Sequence, residues 1–344
     1  MCKKPGWTRA VQPEFLILIF FIKAQNATIY TALIMNYSDE TDSLISRQLL
    51  NWPLVARNYA ALERVSTRTL DVGGSRVVLQ FNPERIRSSA ASVDAASLKA
   101  RKCFLCSENQ PREQEMIDWH GLYKIQVNPY PIFPRHLTIA CQQHTPQLIA
   151  GRIGHMLRLA ADLPKFVLFY NGPRCGASAP DHMHFQAGNK GFMPLVDEAA
   201  SAQRRRVMEQ GNCTIDLVDT LARRFFILDS GSVDSAEAAF QALQQAMPVP
   251  EGDSEPMQNL LCWHADGQYH IIVFPRTRHR PSCYGQGEGQ FTLSPASVDM
   301  GGVMAVPVER DFNALTPGIV ASIFDELCVT ARGADEIISA LRSH

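Results

Sequence analysis

The stretch Asn171-Gly172-Pro173-Arg174-Cys175-Gly176-Ala177-Ser178-Ala179-Pro180-Asp181-His182-Met183-His184-Phe185-Gln186 decides how this chain is read. A loop of small residues, which lets backbone amides approach phosphate oxygens, runs directly into two histidines and a glutamine at every second position. On a strand, that period sets His182, His184 and Gln186 on one face of a sheet and Met183 and Phe185 on the other. The apolar pair is then expected in the core, and the imidazoles and the amide in a cleft. An imidazole beside a phosphate loop suits in-line attack on a nucleotide α-phosphorus, leaving a phosphoramidate that a second acceptor opens. His184 is the expected nucleophile, because it stands between a neighbour able to bind metal and Gln186, whose amide donates to a non-bridging oxygen.

Working outward, residues 166–170 read as the strand that delivers this loop. Residues 145–163 read as a helix begun by Thr145-Pro146, with Leu148, Ile149, Ile153, Met156, Leu157 and Ala160 on one face. Residues 122–127 and 137–140 read as strands, separated by Asn128-Pro129-Tyr130-Pro131-Ile132-Phe133-Pro134, whose prolines exclude helix. Further upstream, residues 39–61 carry a helical pattern broken at Pro53, 77–79 a short strand, and 85–102 a Ser/Ala/Arg-rich connector. Downstream, residues 225–228 read as a strand and 234–246, 316–328 and 334–341 as helices. Residues 247–256 and 285–289 read as loops, and the glycines of the second lack the helix that a nucleotide fingerprint needs. Asp266-Gly267 predicts a hairpin between residues 260–263 and 269–274. The segment from Trp263 to His279 echoes Trp119 through Val127 and Phe133-Pro134-Arg135-His136, without a second His-x-His-x-Gln. Together these features predict an α+β fold, an antiparallel sheet with flanking helices, duplicated, with the chemistry kept in one copy. The expected divisions are an extension over 1–34, a helical and connector region over 35–102, a catalytic half over 103–200 and a second half over 201–344.

Cys103-Phe104-Leu105-Cys106 has the two-residue spacing that lets both thiolates hold one zinc ion at a tight turn, with core packing or a redox pair as the alternative readings. His144 and His182 are the candidates for two further ligands. Four closed ligands would make the metal structural, pinning the strand that carries His184. For substrate contacts, Asn171, Gly172 and Ser178 offer amide, backbone and hydroxyl donors, and Arg276, Arg278 and Arg280 add charge. Arg278-His279-Arg280 equally suits a solvated turn, Asn128 either a ribose or phosphate contact or a turn bonding its own backbone, and His136 either a pocket or a packed strand end.

With 344 residues, 46% of them hydrophobic, the chain has material for one large or two medium domains. A net charge of −1 provides no global field for nucleic acid or anionic membrane, so the expected partners are a small nucleotide or nucleotide-sugar and phosphate, with a homodimer left open. Nine scattered cysteines, an odd number, argue against a disulfide framework and for the cytoplasm. Residues 15–22 form an apolar run after Lys3, Lys4 and Arg9, of signal-peptide length and too short to span a bilayer. An upstream extension ahead of Met35, a signal peptide and a core segment are the three readings of that run.

At these residues the chain resembles the nucleotidyltransferase branch of the histidine-triad (HIT-like) superfamily: hexose-1-phosphate uridylyltransferases, diadenosine tetraphosphate phosphorylases and GDP-hexose phosphorylases. The resemblance is carried by Cys103 to Cys106, by Cys141-x-x-His144 and by residues 171–186. It implies a HIT-like fold, His184 as the nucleotidylated histidine, Gln186 as a phosphate-binding amide, and Cys103, Cys106, His144 and His182 as zinc ligands. Residues 40–330 are also similar to a bacterial family carrying Asp-His-Met-His-Phe-Gln and Asp-Met-Gly-Gly, here Asp299 to Gly302. Where the uridylyltransferases have proline around the first histidine the chain has Asp181-His182-Met183-His184, and their C-terminal His-x-His is absent. The implied activity is phosphorolysis of a nucleotide-sugar, most of all a GDP-hexose. Phosphorolysis or hydrolysis of a dinucleoside polyphosphate is the second enzymatic reading, and a zinc-stabilised nucleotide sensor the non-enzymatic one.

Overall fold

Short apolar runs, some alternating with polar residues and some continuous, write the central sheet, and a computed structural model that describes residues 36–83 and 100–343 gives its connections. In chain order the elements are α1 (Tyr37–Asn51), α2 (Pro53–Leu62), β1 (Ser66–Val72), β2 (Ser75–Phe81), β3 (Met116–Trp119), β4 (Tyr123–Val127), β5 (His136–Cys141), α3 (Ile153–Asp162), β6 (Phe166–Asn171) and β7 (His184–Asn189). There follow α4 (Pro194–Ser201), β8 (Arg205–Gln210), β9 (Cys213–Val218), β10 (Phe225–Ser230), α5 (Val233–Ala246), β11 (Gln258–Ala265), β12 (Gln268–Pro275), α6 (Ser297–Met300), β13 (Val303–Val306), α7 (Glu309–Ala314), α8 (Pro317–Leu327) and α9 (Ala331–Arg342). Pro53 divides α1 from α2 by occupying the first turn of the second helix, where a missing N–H costs nothing.

Ten strands form one sheet in the order β3-β4-β5-β7-β6-β11-β12-β10-β9-β8, and β1-β2-β13 form a smaller one. Read from each edge inward, the large sheet is the same arrangement twice. Three meandering strands, a helix and a hairpin make one unit (β3 to β7), and the same sequence of elements makes the other (β8 to β12). The two units join through antiparallel pairing of β6 with β11, so the expected duplication is present and the sheet is continuous across it. The predicted hairpin at Asp266-Gly267 is also present, with both residues left-handed. The expected equivalence of the Trp263 and Trp119 segments is not: β11-β12 occupies the place of β6-β7, not of β3-β4. The echo arose because His120-Gly121 and Asp266-Gly267 both turn hairpins through successive positive φ angles, which selects similar residues whatever the repeat register.

One face of the sheet buries Tyr123, Ile125, Leu137, Ile139, Phe185, Leu260 and Ile271 against residues of α1, α2, α3, α5 and α9. The other face, over the second unit, buries Ile227, Ile272 and Phe274 with residues of the small sheet, α4 and α8. Over β4, β5 and β7 of the first unit that second face is polar and borders a cleft, while β6 adds Val167 and Phe169 to the second core. The helix expected over residues 145–163 is shorter, Ile153–Asp162. Gly151 at φ 69° breaks the helical path, and the preceding segment is held by the Gln147 side chain, which bonds strand ends instead of solvent. Strands β1, β3, β8, β9 and β13 were not expected from the sequence, being short or mixed in polarity. The expected connector falls mostly, and the expected extension wholly, outside the described residues. Among the described residues every cysteine is a free thiol and no helix is long and apolar enough to cross a membrane.

Candidate active site

Four strands of the first unit floor the cleft. Gln126 on β4 pairs with Thr138 on β5, Thr138 with Gln186 on β7, and Gln186 with Phe169 on β6, so these side chains form a row across the sheet. One step along, Ala140 pairs with His184. The odd-numbered neighbours Ile125, Ile139 and Phe185 are in the helix-side core, which leaves the even-numbered side chains for the cleft, as the strand period requires. The resulting cavity holds about 620 Å³ and is lined by His184, Gln186, Asn128, Thr138 and Gln126 on its floor. The loop residues Gly176, Ala177 and Ser178 border it, as do Arg101, Phe104 and Tyr130. His279, Arg280 and Ser294 line it from beyond the second unit.

His184 opens β7 and is held at three points. Its backbone N–H donates to Gln147 Oε1 at 2.8 Å, its carbonyl accepts from Gln147 Nε2 at 3.0 Å, and its Nδ1–H donates to the His182 carbonyl at 2.8 Å. A ring that donates through Nδ1 keeps its lone pair on Nε2. Burial, only partly offset by the His182 carbonyl, lowers the His184 pKa to about 4, so the ring is neutral at neutral pH. Gln186, two residues on and on the same face, is half-buried at the cavity wall.

His182 does not share that face. It precedes the strand, is buried, and turns its ring toward the cysteine pair. Its Nε2–H donates to the Cys141 carbonyl at 2.9 Å, which leaves Nδ1 as the lone-pair atom, 3.3 Å from Cys103 Sγ and 3.6 Å from Cys106 Sγ. His144 Nδ1 lies 3.2 Å from Cys106 Sγ, and all four donor atoms lie within 4.8 Å of one another. A tetrahedral ion with ligands at about 2.0–2.3 Å has donor–donor edges of roughly 3.5 Å, so the set fits a metal ion with no open position. The buried Lys124 holds the knuckle in place, donating from Nζ to the Leu105 carbonyl at 2.7 Å and to Ser107 Oγ at 3.0 Å.

The remaining expected residues separate into two groups. Asn128, Asn171 and Ser178 border the cavity. Gly172 lies behind it, its N–H already donating to the Gln258 carbonyl at 3.1 Å, and a Cβ there would meet that oxygen at 2.8 Å. Its glycine serves close packing on β11. Arg276 is buried and donates to Asn259 Oδ1, to the Pro295 carbonyl at 3.0 Å and to the Arg278 and His279 carbonyls at 3.2 Å each. It braces the cleft wall from behind. Arg278 is paired with Glu326 on the surface, as a solvated turn residue would be. Arg280 does border the cavity, its guanidinium over the Tyr284 ring at 4.1 Å and its Nε donating to Ser294 Oγ at 3.3 Å. Burial, with a smaller contribution from the nearby Arg280, Arg276 and Arg174, pushes the His279 pKa down to about 4. Gln126 and Thr138 escaped the sequence reading. Their signal was the polar alternation in Tyr123-Lys124-Ile125-Gln126-Val127 and His136-Leu137-Thr138-Ile139.

The doubled sheet, with a small-residue loop feeding a His-x-Gln strand in one copy only, defines the HIT-like class of α+β fold. Two solved structures share it: yeast Ap4A phosphorylase Apa2 in complex with AMP, at a TM-score of 0.55 and 17% identity over 80% of this chain and 95% of that one, and the same enzyme in complex with Ap4A, at 0.53 and 17% over 80% and 96%. Residues 44–189, from within α1 to the end of β7, match a family model described as a domain of unknown function (DUF4922). No curated protein matches the sequence.

Proposed function

We propose that this protein is a nucleotidyltransferase that carries a nucleotidyl group on His184 Nε2 and passes it to phosphate. One observation carries the reading: the His184 Nδ1–H bond to the His182 carbonyl commits the proton to Nδ1 and leaves a buried nucleophilic lone pair on Nε2. In the first step Nε2 attacks the α-phosphorus, the bond from phosphorus to its bridging oxygen breaks, and the remaining polyphosphate leaves. In the second step a phosphate oxygen attacks the same phosphorus and the P–N bond breaks, freeing the imidazole. Gln186 is read as the donor to a non-bridging oxygen in both steps. A glutamine amide does not shuttle protons as a third histidine would, which favours phosphate over water as acceptor.

The similar structures hold AMP and Ap4A, which supports a dinucleoside polyphosphate as substrate ahead of the GDP-hexose expected from the sequence. For a dinucleoside tetraphosphate the products are a nucleoside triphosphate and, after phosphorolysis, a nucleoside diphosphate. Cys103, Cys106, His144 and His182 are read as ligands of structural zinc, whose contribution is to anchor the chain immediately before β7. The test uses a dinucleoside polyphosphate labelled at its α-phosphates and incubated without phosphate. Wild-type protein is expected to retain acid-labile, base-stable label and His184→Asn none. Label retained equally by His184→Asn refutes the mechanism, and absence of label on folded, metal-replete wild type favours a binding protein.

A further inference from the structure

We infer that His136 and Asn128 are positioning residues that fix the polarity of the Gln186 amide, oxygen inward and NH2 toward the cleft; this rests on the reading of Gln186 as a phosphate donor. A glutamine set the other way would present an oxygen to a phosphate oxygen and repel it. The polarity is decided by backbone N–H groups in the proline loop. Pro129, Pro131 and Pro134 have no N–H, so Tyr130, Ile132 and Phe133 supply those available between Asn128 and Arg135.

Ile132 donates its N–H to His136 Nδ1 at 3.1 Å. A nitrogen that accepts carries no proton, so the neutral His136 ring is protonated at Nε2, which lies 3.1 Å from Gln186 Oε1. Tyr130 donates its N–H to Asn128 Oδ1 at 2.9 Å, which turns the Asn128 NH2 the other way. That group donates to Thr138 Oγ1 at 3.0 Å and to Gln186 Oε1 at 3.3 Å. Two donors of fixed direction therefore converge on one amide oxygen. Rotating Gln186 would lose both bonds and set its NH2 against two N–H groups. His136 is wholly buried, so water does not replace it as donor. The NH2 of Gln186 is left pointing to the cavity that His184 borders.

The test is a double-mutant cycle on the rate of His184 labelling. Asn128→Asp keeps an acceptor for the Tyr130 N–H and presents a carboxylate oxygen to Gln186, drawing its NH2 inward. His136→Phe removes the second donor. Each is expected to slow labelling on the order of 10²-fold, as Gln186→Ala does, and to add nothing in the Gln186→Ala background. Losses that multiply in the double variants overturn the inference, since a merely structural role acts whether or not Gln186 is present. A readout independent of activity is the 15N spectrum of the wild-type imidazoles. Protonated Nε2 and bare Nδ1 on His136 at neutral pH support the inference, and the opposite tautomer overturns it. If wild type forms no label, the functional reading fails and the tautomer alone decides the positioning claim.

Discussion

Glu255 offers a quantitative check on the network beneath the candidate nucleophile. Its Oε1 accepts the Tyr170 hydroxyl at 2.5 Å and its Oε2 the Ile149 N–H at 2.8 Å, and Tyr170 also reaches the Gln147 carbonyl at 3.3 Å. Gln147 in turn holds the backbone of His184. Burial raises the Glu255 pKa from 4.5 to about 7, the two hydrogen bonds offsetting only part of that cost. The folded state thus keeps a proton that the unfolded state releases, so this group's contribution to stability falls as pH rises from the unfolded value to the folded one and is constant above it. Taking the two pKa values at face value, the loss is about 2.5 kcal/mol between about pH 5 and about pH 8. Glu255→Gln preserves shape, accepts from Ile149 and donates to Tyr170, yet does not titrate. Urea unfolding of wild type and variant at both pH values, with the difference taken at each, cancels every other titrating group. The variant is expected to gain about 2.5 kcal/mol on wild type between the two conditions, and near-neutral substitution is expected at the acidic end. An identical difference at both pH values, or a variant weaker than wild type at the basic end, would refute the burial argument.

Gln186→Ala is expected to slow the first half-reaction on the order of 10²-fold at saturating nucleotide, measured by rapid quench. Freshly purified protein is expected to carry close to one zinc per chain by elemental analysis; Cys103→Ser should lower both metal content and thermal stability together, and metal-free wild type of full stability would contradict the site. The three arginines should separate by assay. Arg280→Ala is expected to raise the KM for nucleotide at least about tenfold, Arg278→Ala to change neither KM nor stability, and Arg276→Ala to cost about 3 kcal/mol in unfolding because four acceptors, the Asn259 and Pro295 oxygens among them buried, lose their donor.

Residues 171–186 determined much by themselves. Their period, composition and loop pointed to a strand with a histidine and an amide on its polar face, because a strand's side-chain alternation is a local rule that tertiary structure does not alter. The hairpin at Asp266-Gly267 and the break at Pro53 were legible because turn and proline chemistry are local too, whereas the duplication was expected from an echo between segments that do not occupy equivalent places in the two units. Cys103 and Cys106 declared a shared turn through their spacing, whereas the approach of His144 and His182 to them is a contact between segments far apart in the chain. What only the tertiary structure decided is where side chains of similar chemistry go. Arg276, Arg278 and Arg280 are alternate residues of one short segment, yet one braces a wall from within, one pairs with Glu326 on the surface and one borders the cavity. His182 and His184 are two apart, yet the first falls before the strand begins and turns to the cysteines. Such assignments follow from the packing of β11, α8 and the proline loop around the site, and long-range packing of this kind leaves no period in the sequence to read.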